Sequence, residues 1–473
     1  MAGVARVGTS EFLEQYRGFI ASKVLAARGY GFDPEPMPAE MFHHQKVATE
    51  FALRVGRTAL FLDTGLGKSF CEIEFARQCI EKTGKPALIL TPLAVAEQMR
   101  REAERFGIEA KVVREQDDVW PGINIANYER LPKLDPAVFG SVVLDESSIL
   151  KAYSGATKRA LIEAFRDTPY RLAATATPAP NDHMELGNHA EFLGVMSTQE
   201  MLMRWFVNDT STASKEWRLK GHAEKDFWQW VASWARCAEH PSDLDGDDTA
   251  FDLPNLTTHL HVVEADRTVD AGDLLFRIPE MSATSFHAEK RRTLADRVER
   301  SASLACGDEP VVVWCETDLE SAALAKAIPG AVEIKGSMPL ETKEARLVGF
   351  SEGAIRVVVT KPKLAGFGLN WQHCARMIFA SISFSYEQHY QATRRCWRFG
   401  QDRPVESHVV LSDTESGVWK VIQRKSADHD RMKDAMAEAM RGAMSDMQIR
   451  RKYEAQQYAF PGWLMSEASN EAA

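Results

Sequence analysis

One short stretch of this sequence has the composition of a phosphate-binding loop. In FLDTGLGKS an apolar run predicts a strand, and a helical pattern follows it. Between them lie the residues here called the phosphate loop: Thr64, Gly65, Leu66, Gly67, Lys68 and Ser69. Glycines let backbone N–H groups approach phosphate, a helix N-terminus favours the anion, a lysine reaches the outer phosphates, and a serine hydroxyl can ligate Mg²⁺. The full P-loop pattern has another glycine where Leu62 stands, so a tight turn with a surface lysine is the alternative.

A second stretch, SVVLDESS, ends an apolar run in two adjacent carboxylates, Asp145 and Glu146. At the carboxyl end of a strand in a parallel sheet, both project into the crevice where ligands bind. One carboxylate can hold Mg²⁺ while its neighbour polarises the attacking water, the two tasks of phosphoanhydride hydrolysis. The alternative is a solvated pair that caps a helix.

Three arginines stand close together in QHYQATRRCWRFGQ, residues 388–401. We predict a helix here, on which Arg395 and Arg398 share one face while Arg394 points elsewhere. Phosphoryl transfer needs positive charge on the transferred phosphate, and an arginine finger is the usual source. A solvated basic helix end is the alternative, but it would not by itself need the neighbouring Gln391.

The elements that must position these residues form a regular pattern. Short apolar runs rich in β-branched residues alternate with helical patterns on both sides of a polar connector. Such runs predict parallel strands that are buried on both faces. We therefore expect an α/β fold of two lobes, each a parallel sheet flanked by helices, with a cleft between them. The expected divisions are a first lobe over 1–240, a linker over 241–256, a second lobe over 257–415 and a helical tail over 416–473.

A tryptophan-rich stretch closes the first lobe. Phe227, Trp230, Val231 and Trp234 recur at i, i+3, i+4 and i+7. This spacing is typical of the buried face of a helix, so we predict packing and not base stacking.

Composition limits the classes of function. The chain has 473 residues, 45% of them hydrophobic, and a formal net charge of -10. That charge argues against a protein that coats nucleic acid by bulk charge, but it allows a local basic track. Seven scattered cysteines without a C-x-x-C spacing favour reduced thiols over a disulfide frame or zinc site. No apolar run suits a membrane span and no signal-peptide pattern begins the chain, so we expect a cytoplasmic protein without a membrane partner.

The order of these stretches resembles a superfamily 2 helicase, and within that group the Swi/Snf-like translocase ATPases of a compact bacterial or phage kind. The resemblance implies two RecA-like lobes, ATP and Mg²⁺ in their cleft, and the cytoplasm of a bacterial or phage-infected cell. It covers about residues 40–412, and its motifs run in the family order: FHHQ (glutamine motif), DTGLGKS (I), LILTPLAVAEQMRREAERF (Ia), IANYERL (Ib), LDESSILK (II), ATATPAPND (III), VVVWCET (IV), TKPKLAGFGLN (V) and QATRRCWRFGQ (VI).

The resemblance also implies roles for single residues of the first lobe. Gln45 would read the adenine edge, and Lys68 would take the phosphates together with the rest of the phosphate loop. Ser69 and Asp145 would hold Mg²⁺, and Glu146 would act as the catalytic base.

In the second lobe, the resemblance implies that Arg395 and Arg398 approach the γ-phosphate, with Arg398 the better candidate for the finger. Gln391 would lie beside the same phosphate. Gly366, Gly368 and Asn370 would fit motif V, which couples the nucleotide to the nucleic-acid track, and Gly368 and Asn370 would also bind the nucleotide.

Motif II departs from the family pattern. Where the family commonly has alanine and histidine, Ser147 and Ser148 follow the two carboxylates. The histidine that usually contacts motif III is therefore absent. Hydrolysis should survive this change because the metal ligand and the base remain, but the form of coupling stays open.

The sequence favours an ATP-dependent translocase that acts on DNA, duplex in preference and without sequence specificity. An RNA-dependent helicase is one alternative, since it would share the ATP site. The other is a nucleotide-switched interaction protein with poor turnover that recruits a partner such as a replication factor or a methyltransferase. Retention of Glu146 and Arg398 counts against a pure switch.

Overall fold

The computed structural model describes residues 30–92, 95–151, 155–209, 216–265, 283–365 and 370–445. The first lobe is built from nine strands and seven helices among these residues. Its elements in chain order are α1 (His43–Val55), β1 (Arg57–Leu62), α2 (Lys68–Thr83), β2 (Ala87–Thr91), α3 (Ala96–Arg105), β3 (Ala110–Val112), β4 (Ile123–Asn127), β5 (Ser141–Asp145), α4 (Ala156–Ala164), β6 (Tyr170–Ala174), α5 (Leu186–Leu193), α6 (Thr198–Trp205), β7 (Phe206–Asp209), β8 (Glu216–Leu219), α7 (Glu224–Trp234) and β9 (Ala235–Ala238).

Seven of these strands form one parallel sheet in the order β3-β4-β2-β5-β6-β1-β9. The strands β2, β5 and β6 are buried along their whole length because helices cover both faces of the sheet. Since β1, β5 and β6 are neighbours and parallel, the segments that follow them meet at one edge of the sheet. That edge carries the phosphate loop and the two motif II carboxylates.

The second lobe has a smaller sheet. Its elements are β10 (Leu256–Val263), α8 (Ala283–Arg292), α9 (Leu294–Leu304), β11 (Val311–Trp314), α10 (Asp318–Ala327), β12 (Ala331–Glu333), α11 (Leu340–Ser351), β13 (Val357–Thr360), α12 (Pro362–Ala365), β14 (Arg376–Phe379), α13 (Tyr386–Thr393), β15 (Val405–Ser412) and α14 (Ser416–Ser445). Six parallel strands follow the order β10-β15-β14-β11-β13-β12. The predicted α/β class, with two parallel sheets flanked by helices, is confirmed.

The tryptophan-rich helix α7 packs as its spacing predicts. Phe227, Trp230, Val231 and Trp234 are all buried in the core of the first lobe. Trp230 stacks on Trp205 of α6 with ring centroids 4.8 Å apart. The face belongs to the core, so the prediction of packing is confirmed.

The long helix α14 is the last element that the structure describes. It has an apolar face, but charged residues recur along its length. Among the described residues, no helix combines the length and the apolar character that crossing a membrane requires.

Candidate ATP site between the lobes

The phosphate loop joins β1 to α2 through two left-handed glycines. Gly65 has φ 100° and Gly67 has φ 78°, a region that residues with a Cβ rarely adopt. Gly67 is also the N-cap of α2, so the free N–H groups and the positive end of the helix dipole face the loop. The local sequence thus forms the glycine turn before a helix that it predicts, and phosphate binding by this turn stays a prediction.

Gln45 on α1 is hydrogen-bonded to the phosphate loop. Its Nε2 donates to the carbonyl of Leu66 at 3.1 Å, and its Oε1 accepts from the N–H of Phe42 at 3.0 Å. A Cβ on Gly67 would lie 2.1 Å from Gln45 Nε2, so only glycine fits there without a shift. In this structure Gln45 supports the loop, and its role in reading adenine stays a prediction.

Lys68 bends back toward the strand that precedes the loop. Its Nζ donates to the carbonyl of Leu62 at 2.9 Å. Leu62, which replaces the expected first glycine, is the last residue of β1 and supplies this acceptor through its backbone. A phosphate can compete for the ammonium because a charge-assisted bond is stronger than one to a neutral carbonyl.

The two motif II carboxylates follow β5 as predicted. Asp145 is its last residue and is buried, whereas Glu146 has a left-handed φ of 52° that is rare outside glycine. The Oγ1 of Thr175, directly after β6, donates to Glu146 Oε2 at 3.2 Å. Motif III therefore contacts motif II through Thr175, which answers how the two segments touch without the family's histidine.

Negative charge is crowded into this part of the lobe. Burial and the adjacent charge of Glu146 raise the pKa of Asp145 to about 8, although the ammonium of Lys68 opposes the shift. One turn into α2, Glu72 is fully buried, and within the described chain neither of its carboxyl oxygens has a hydrogen-bond partner. Burial, with a contribution from Asp145, raises the pKa of Glu72 well above its usual range.

These carboxyls fit a divalent cation, because a bound metal charge would offset the repulsion that now favours protonation. Ser69 and Asp145 are the residues that would hold it, together with phosphate oxygens of a nucleotide. The described residues contain no cluster of three or more His, Cys, Asp or Glu side chains arranged as a complete metal site. A metal here would therefore depend on ligands from the substrate.

The segment with the three arginines is not the continuous helix predicted from the sequence. Helix α13 ends at Thr393, Arg394 is its C-cap, and the following residues form turns. The carbonyl of Arg395 accepts from the N–H of Trp371 at 2.9 Å instead of from a residue four positions along a helix. The prediction of a shared helix face for Arg395 and Arg398 was wrong, since tertiary bonds draw the chain out of the helix.

Arg395 nevertheless reaches the site from the second lobe. Its Nε donates to the carbonyl of Gln391 and its Nη2 to Gln391 Oε1, both at 3.0 Å. Burial lowers the pKa of Arg395 to about 10. The charge of Glu146 opposes this shift most, and those of Cys396 and Asp145 oppose it less. The guanidinium of one lobe thus lies within electrostatic reach of the carboxylates of the other.

Arg398 and Gln391 complete this side of the cleft. Burial and the neighbouring charge of Arg395 lower the pKa of Arg398 to about 9, and Glu102 on α3 opposes the shift. Gln391 is fully buried, and its Nε2 has no hydrogen-bond partner in the part of the chain that the structure describes. A buried donor without a partner is costly unless a ligand accepts from it, as a phosphate oxygen would.

Motif V is only partly covered by the structure. Asn370 is exposed. Gly366 and Gly368 lie outside the described residues, so the roles of all three in nucleotide binding stay predictions.

Two groups of residues at this site were missed by the sequence analysis. An aromatic group lies beside the phosphate loop, where Phe251 from the linker packs on Phe399 with centroids 4.7 Å apart and on Phe42 at 5.1 Å. A Cβ on Gly65 would meet Phe399 at 3.1 Å, so the second lobe contacts the loop itself. No residue spacing signals this group, because its members come from three distant segments.

The other missed group centres on Asp63, the residue before Thr64. Its carboxylate is buried and accepts bonds from Tyr390 and Arg394 of the second lobe. A carboxylate at the end of an apolar strand was a signal that the sequence offered, but its partners lie more than 300 residues away.

Comparison with known proteins finds a helicase domain in the second lobe. Residues 303–400 match the family described as helicase conserved C-terminal domain, a stretch that runs from the end of α9 through the arginine segment. The predicted resemblance to helicases is thereby confirmed for this stretch of the second lobe. No curated protein matched the chain in sequence. Among solved structures, the Sulfolobus solfataricus SWI2/SNF2 ATPase core in complex with dsDNA is similar, with 15% identity over 89% of this chain and 99% of that chain and a TM-score of 0.42.

Proposed function

We propose that the chain is an ATP-dependent DNA translocase that hydrolyses ATP to ADP and phosphate in the cleft between its lobes. The observation that carries this proposal is the contact of the arginine segment with the phosphate loop of the opposite lobe, where Arg394 binds Asp63 and Phe399 lies against Gly65. The proposed phosphate ligands and carboxylates of the first sheet and the arginines of the second would therefore act together at one site. A site divided in this way couples hydrolysis to lobe movement, because it is complete only when the lobes are together.

ATP binding falls to the phosphate loop. The N–H groups at the start of α2 would bind phosphate oxygens, and Lys68 would exchange the carbonyl of Leu62 for the outer phosphates. The fully buried amide of Gln391, whose Nε2 has no acceptor among the described residues, would donate to the γ-phosphate.

Hydrolysis then requires a base and a source of positive charge. Glu146 would orient the attacking water and accept its proton on one carboxylate oxygen, while Thr175 holds Oε2. Arg395 and Arg398 would stabilise the charge that spreads over the transferred phosphoryl oxygens. Mg²⁺, held by Ser69 and Asp145, would neutralise charge on the β- and γ-phosphates when bound.

DNA is proposed as the polymer because motifs Ia and Ib resemble the DNA-translocating branch more than the RNA helicases. A narrow track across both lobes that contacts phosphates needs few cations, so it agrees with the net charge of -10. Contacts of this kind are largely independent of base sequence.

The proposal is tested by steady-state ATP hydrolysis with no polymer, with duplex DNA, with single-stranded DNA and with RNA. We expect duplex DNA to stimulate the wild type most, and Lys68→Ala to lose turnover with every polymer. Arg431→Gln is the control variant, because Arg431 is exposed on α14 and its ion pair with the partly exposed Asp428 lies at the surface.

Each outcome separates the functions that the sequence left open. Stimulation by RNA in preference to DNA would overturn the choice of polymer and favour the RNA helicase. Tight ATP binding without turnover on any polymer would overturn the motor and favour the nucleotide switch.

A further inference from the structure

The C-terminal helix α14 is shared between the two lobes. Near its start, Val418 and Ile422 are buried in the core of the second lobe. Two and more turns later, Met432, Met436 and Met440 are buried in the core of the first lobe. One continuous helix therefore ties the two hydrophobic cores together.

Polar contacts reinforce this bridge. The Nζ of Lys425 donates to Asn181 Oδ1, in motif III, at 2.9 Å and to the carbonyl of Phe384 in the second lobe at 3.1 Å. Farther along, the N–H of Cys237 on β9 points at the sulfur of Met440, 2.9 Å away. The helix thus contacts functional segments of both lobes.

A buried network of charges lies where this helix, the arginine segment and the phosphate loop meet. Asp63 accepts from the guanidinium of Arg394 and from the hydroxyl of Tyr390. Lys433 of α14 places its Nζ 3.7 Å from Asp63 Oδ2 and 2.9 Å from Glu239 Oε1. Asp63 and Lys433 are each only 2% exposed, so water screens little of their interaction.

Asp63 also fixes the first residue of the phosphate loop. Its Oδ1 accepts from the N–H of Thr64 at 2.6 Å. Burial alone would raise the pKa of Asp63, but the charges of Arg394 and Lys433 outweigh burial and hold its pKa below the usual range. The carboxylate is therefore ionised while it holds the loop, and its cations come from outside the first sheet.

We propose that Asp63, Arg394 and Lys433 form an interlobe latch through which α14 positions the arginine segment against the phosphate loop. The latch rests on the proposed function, since its effect is to align groups for ATP hydrolysis. Arg394 directly precedes Arg395, so anchoring the first guanidinium on Asp63 fixes the turn that carries the second. These three are positioning residues, and none of them is assigned a contact with the reacting phosphate.

The latch depends on the charge of each of its residues. When a buried ion pair loses one partner, the other charge is left uncompensated. The loss of folding free energy is then far larger than when both charges are replaced by apolar side chains. Removing Lys433 or Arg394 should therefore favour lobe separation, in which water can reach Asp63. Removing a cation from the exposed face of the same helix should do nothing.

The experiment is an interlobe distance measurement by electron paramagnetic resonance on the full chain. One nitroxide label goes on Cys306, the exposed cysteine of the second lobe, and the other on Glu163→Cys, an exposed position of α4 in the first lobe. Lys433→Met and Arg394→Met are compared with Arg431→Gln in this labelled background. Methionine keeps much of the side-chain volume while removing the charge.

We expect both latch variants to show longer and broader distance distributions, and kcat/KM for ATP to fall about tenfold because small misplacements of reacting groups are costly. Arg431→Gln should match the wild type, and Lys433→Arg, which keeps the charge, should recover most of the distance distribution. Glu239→Gln, at the more accessible end of the network, should shift the distances in the same direction by less. It carries the test if a methionine variant does not fold.

Distance distributions that superimpose on the wild type in both latch variants would overturn the latch. The distance readout does not depend on turnover. If the wild type hydrolysed no ATP with any polymer but the variants still opened, the proposed function would fail while the latch stood as a structural device. Normal turnover with unmoved distances would remove the latch alone.

Discussion

The first lobe fixes its half of the candidate site by backbone conformation, whereas the second lobe fixes its arginine segment by side-chain bonds, one of which crosses to the first lobe. Gly65 and Gly67, between β1 and α2, and Glu146, directly after β5, all have left-handed φ values. Arg395 is held by Gln391, and Arg394 by Asp63 of the other lobe. The first half of the site is therefore preformed, and the second half depends on docking.

The largest expected effect tests the preformed half. Glu146→Gln removes the base but keeps the shape, so kcat should fall by about 10² to 10⁴ while ATP binding and the interlobe distance stay as in the wild type. Rapid-quench hydrolysis and equilibrium nucleotide binding check this. Glu163→Gln, an exposed change in the same lobe, is the control. A kcat close to the wild-type value would assign the base elsewhere.

Alanine substitutions at two glycines test whether backbone conformation shapes the phosphate loop. Gly67 and Gly84 begin and end α2, both with left-handed φ, but a Cβ on Gly67 would meet Gln45 at 2.1 Å while one on Gly84 would meet nothing within 4 Å. Each alanine substitution should cost about 1–2 kcal/mol of unfolding free energy from strain.

Only Gly67→Ala should also weaken ATP binding, by about tenfold or more, since it displaces the loop as well as straining it. Calorimetric titration with ATP and thermal unfolding measure the two effects separately. Equal loss of ATP affinity in Gly84→Ala would show that strain in α2, and not the contact with Gln45, controls the loop.

The smallest effect concerns the docked half and its dependence on pH. His429 on α14 is buried between Tyr386 and Tyr390, and burial and the charge of Lys433 lower its pKa to about 3. Between pH 3 and about 6.5 the unfolded chain binds a proton here that the folded chain does not. The folded state therefore loses stability as pH falls below about 6.5, by at most about 1.4 kcal/mol per pH unit from this group.

In His429→Gln the free energy of unfolding should fall less steeply as the pH is lowered. In His222→Gln, a change at an exposed position, it should fall as in the wild type. Chemical unfolding at pH 7 and pH 5 gives both slopes. An unaltered slope in His429→Gln would mean that this imidazole is solvated, and so that α14 is not docked as described.

The same contrast explains what the sequence could predict. The phosphate loop and the motif II carboxylates follow from a few neighbouring residues, because glycine conformation and strand ends are local properties. The latch could not be predicted: Asp63 and Arg394 are 331 positions apart, and nothing near Lys433 signals a partner. The helix predicted to continue through Arg398 was also wrong, since the hydrogen bond from the N–H of Trp371 to the carbonyl of Arg395 outweighs the local helix propensity.

Some predictions succeeded because they depend on packing alone. The spacing of Trp230 and Trp234 was sufficient to place α7 in the core. The parallel direction of the strands in both sheets followed from apolar runs between helices. The contacts between the lobes could not be predicted without the tertiary structure. The ion pair of Lys151 and Glu387, for example, joins two segments that no sequence pattern links.

The central claim is that the second lobe completes an ATP site begun by the first. It is tested most directly by the duplex-DNA-stimulated kcat of Arg395→Ala and Arg398→Ala, with nucleotide binding measured in parallel. We predict that at least one of them lowers kcat by about 10³ or more while ATP still binds. If both variants keep kcat within threefold of the wild type, the arginines do not act on the phosphate and the account of a site shared between lobes is contradicted.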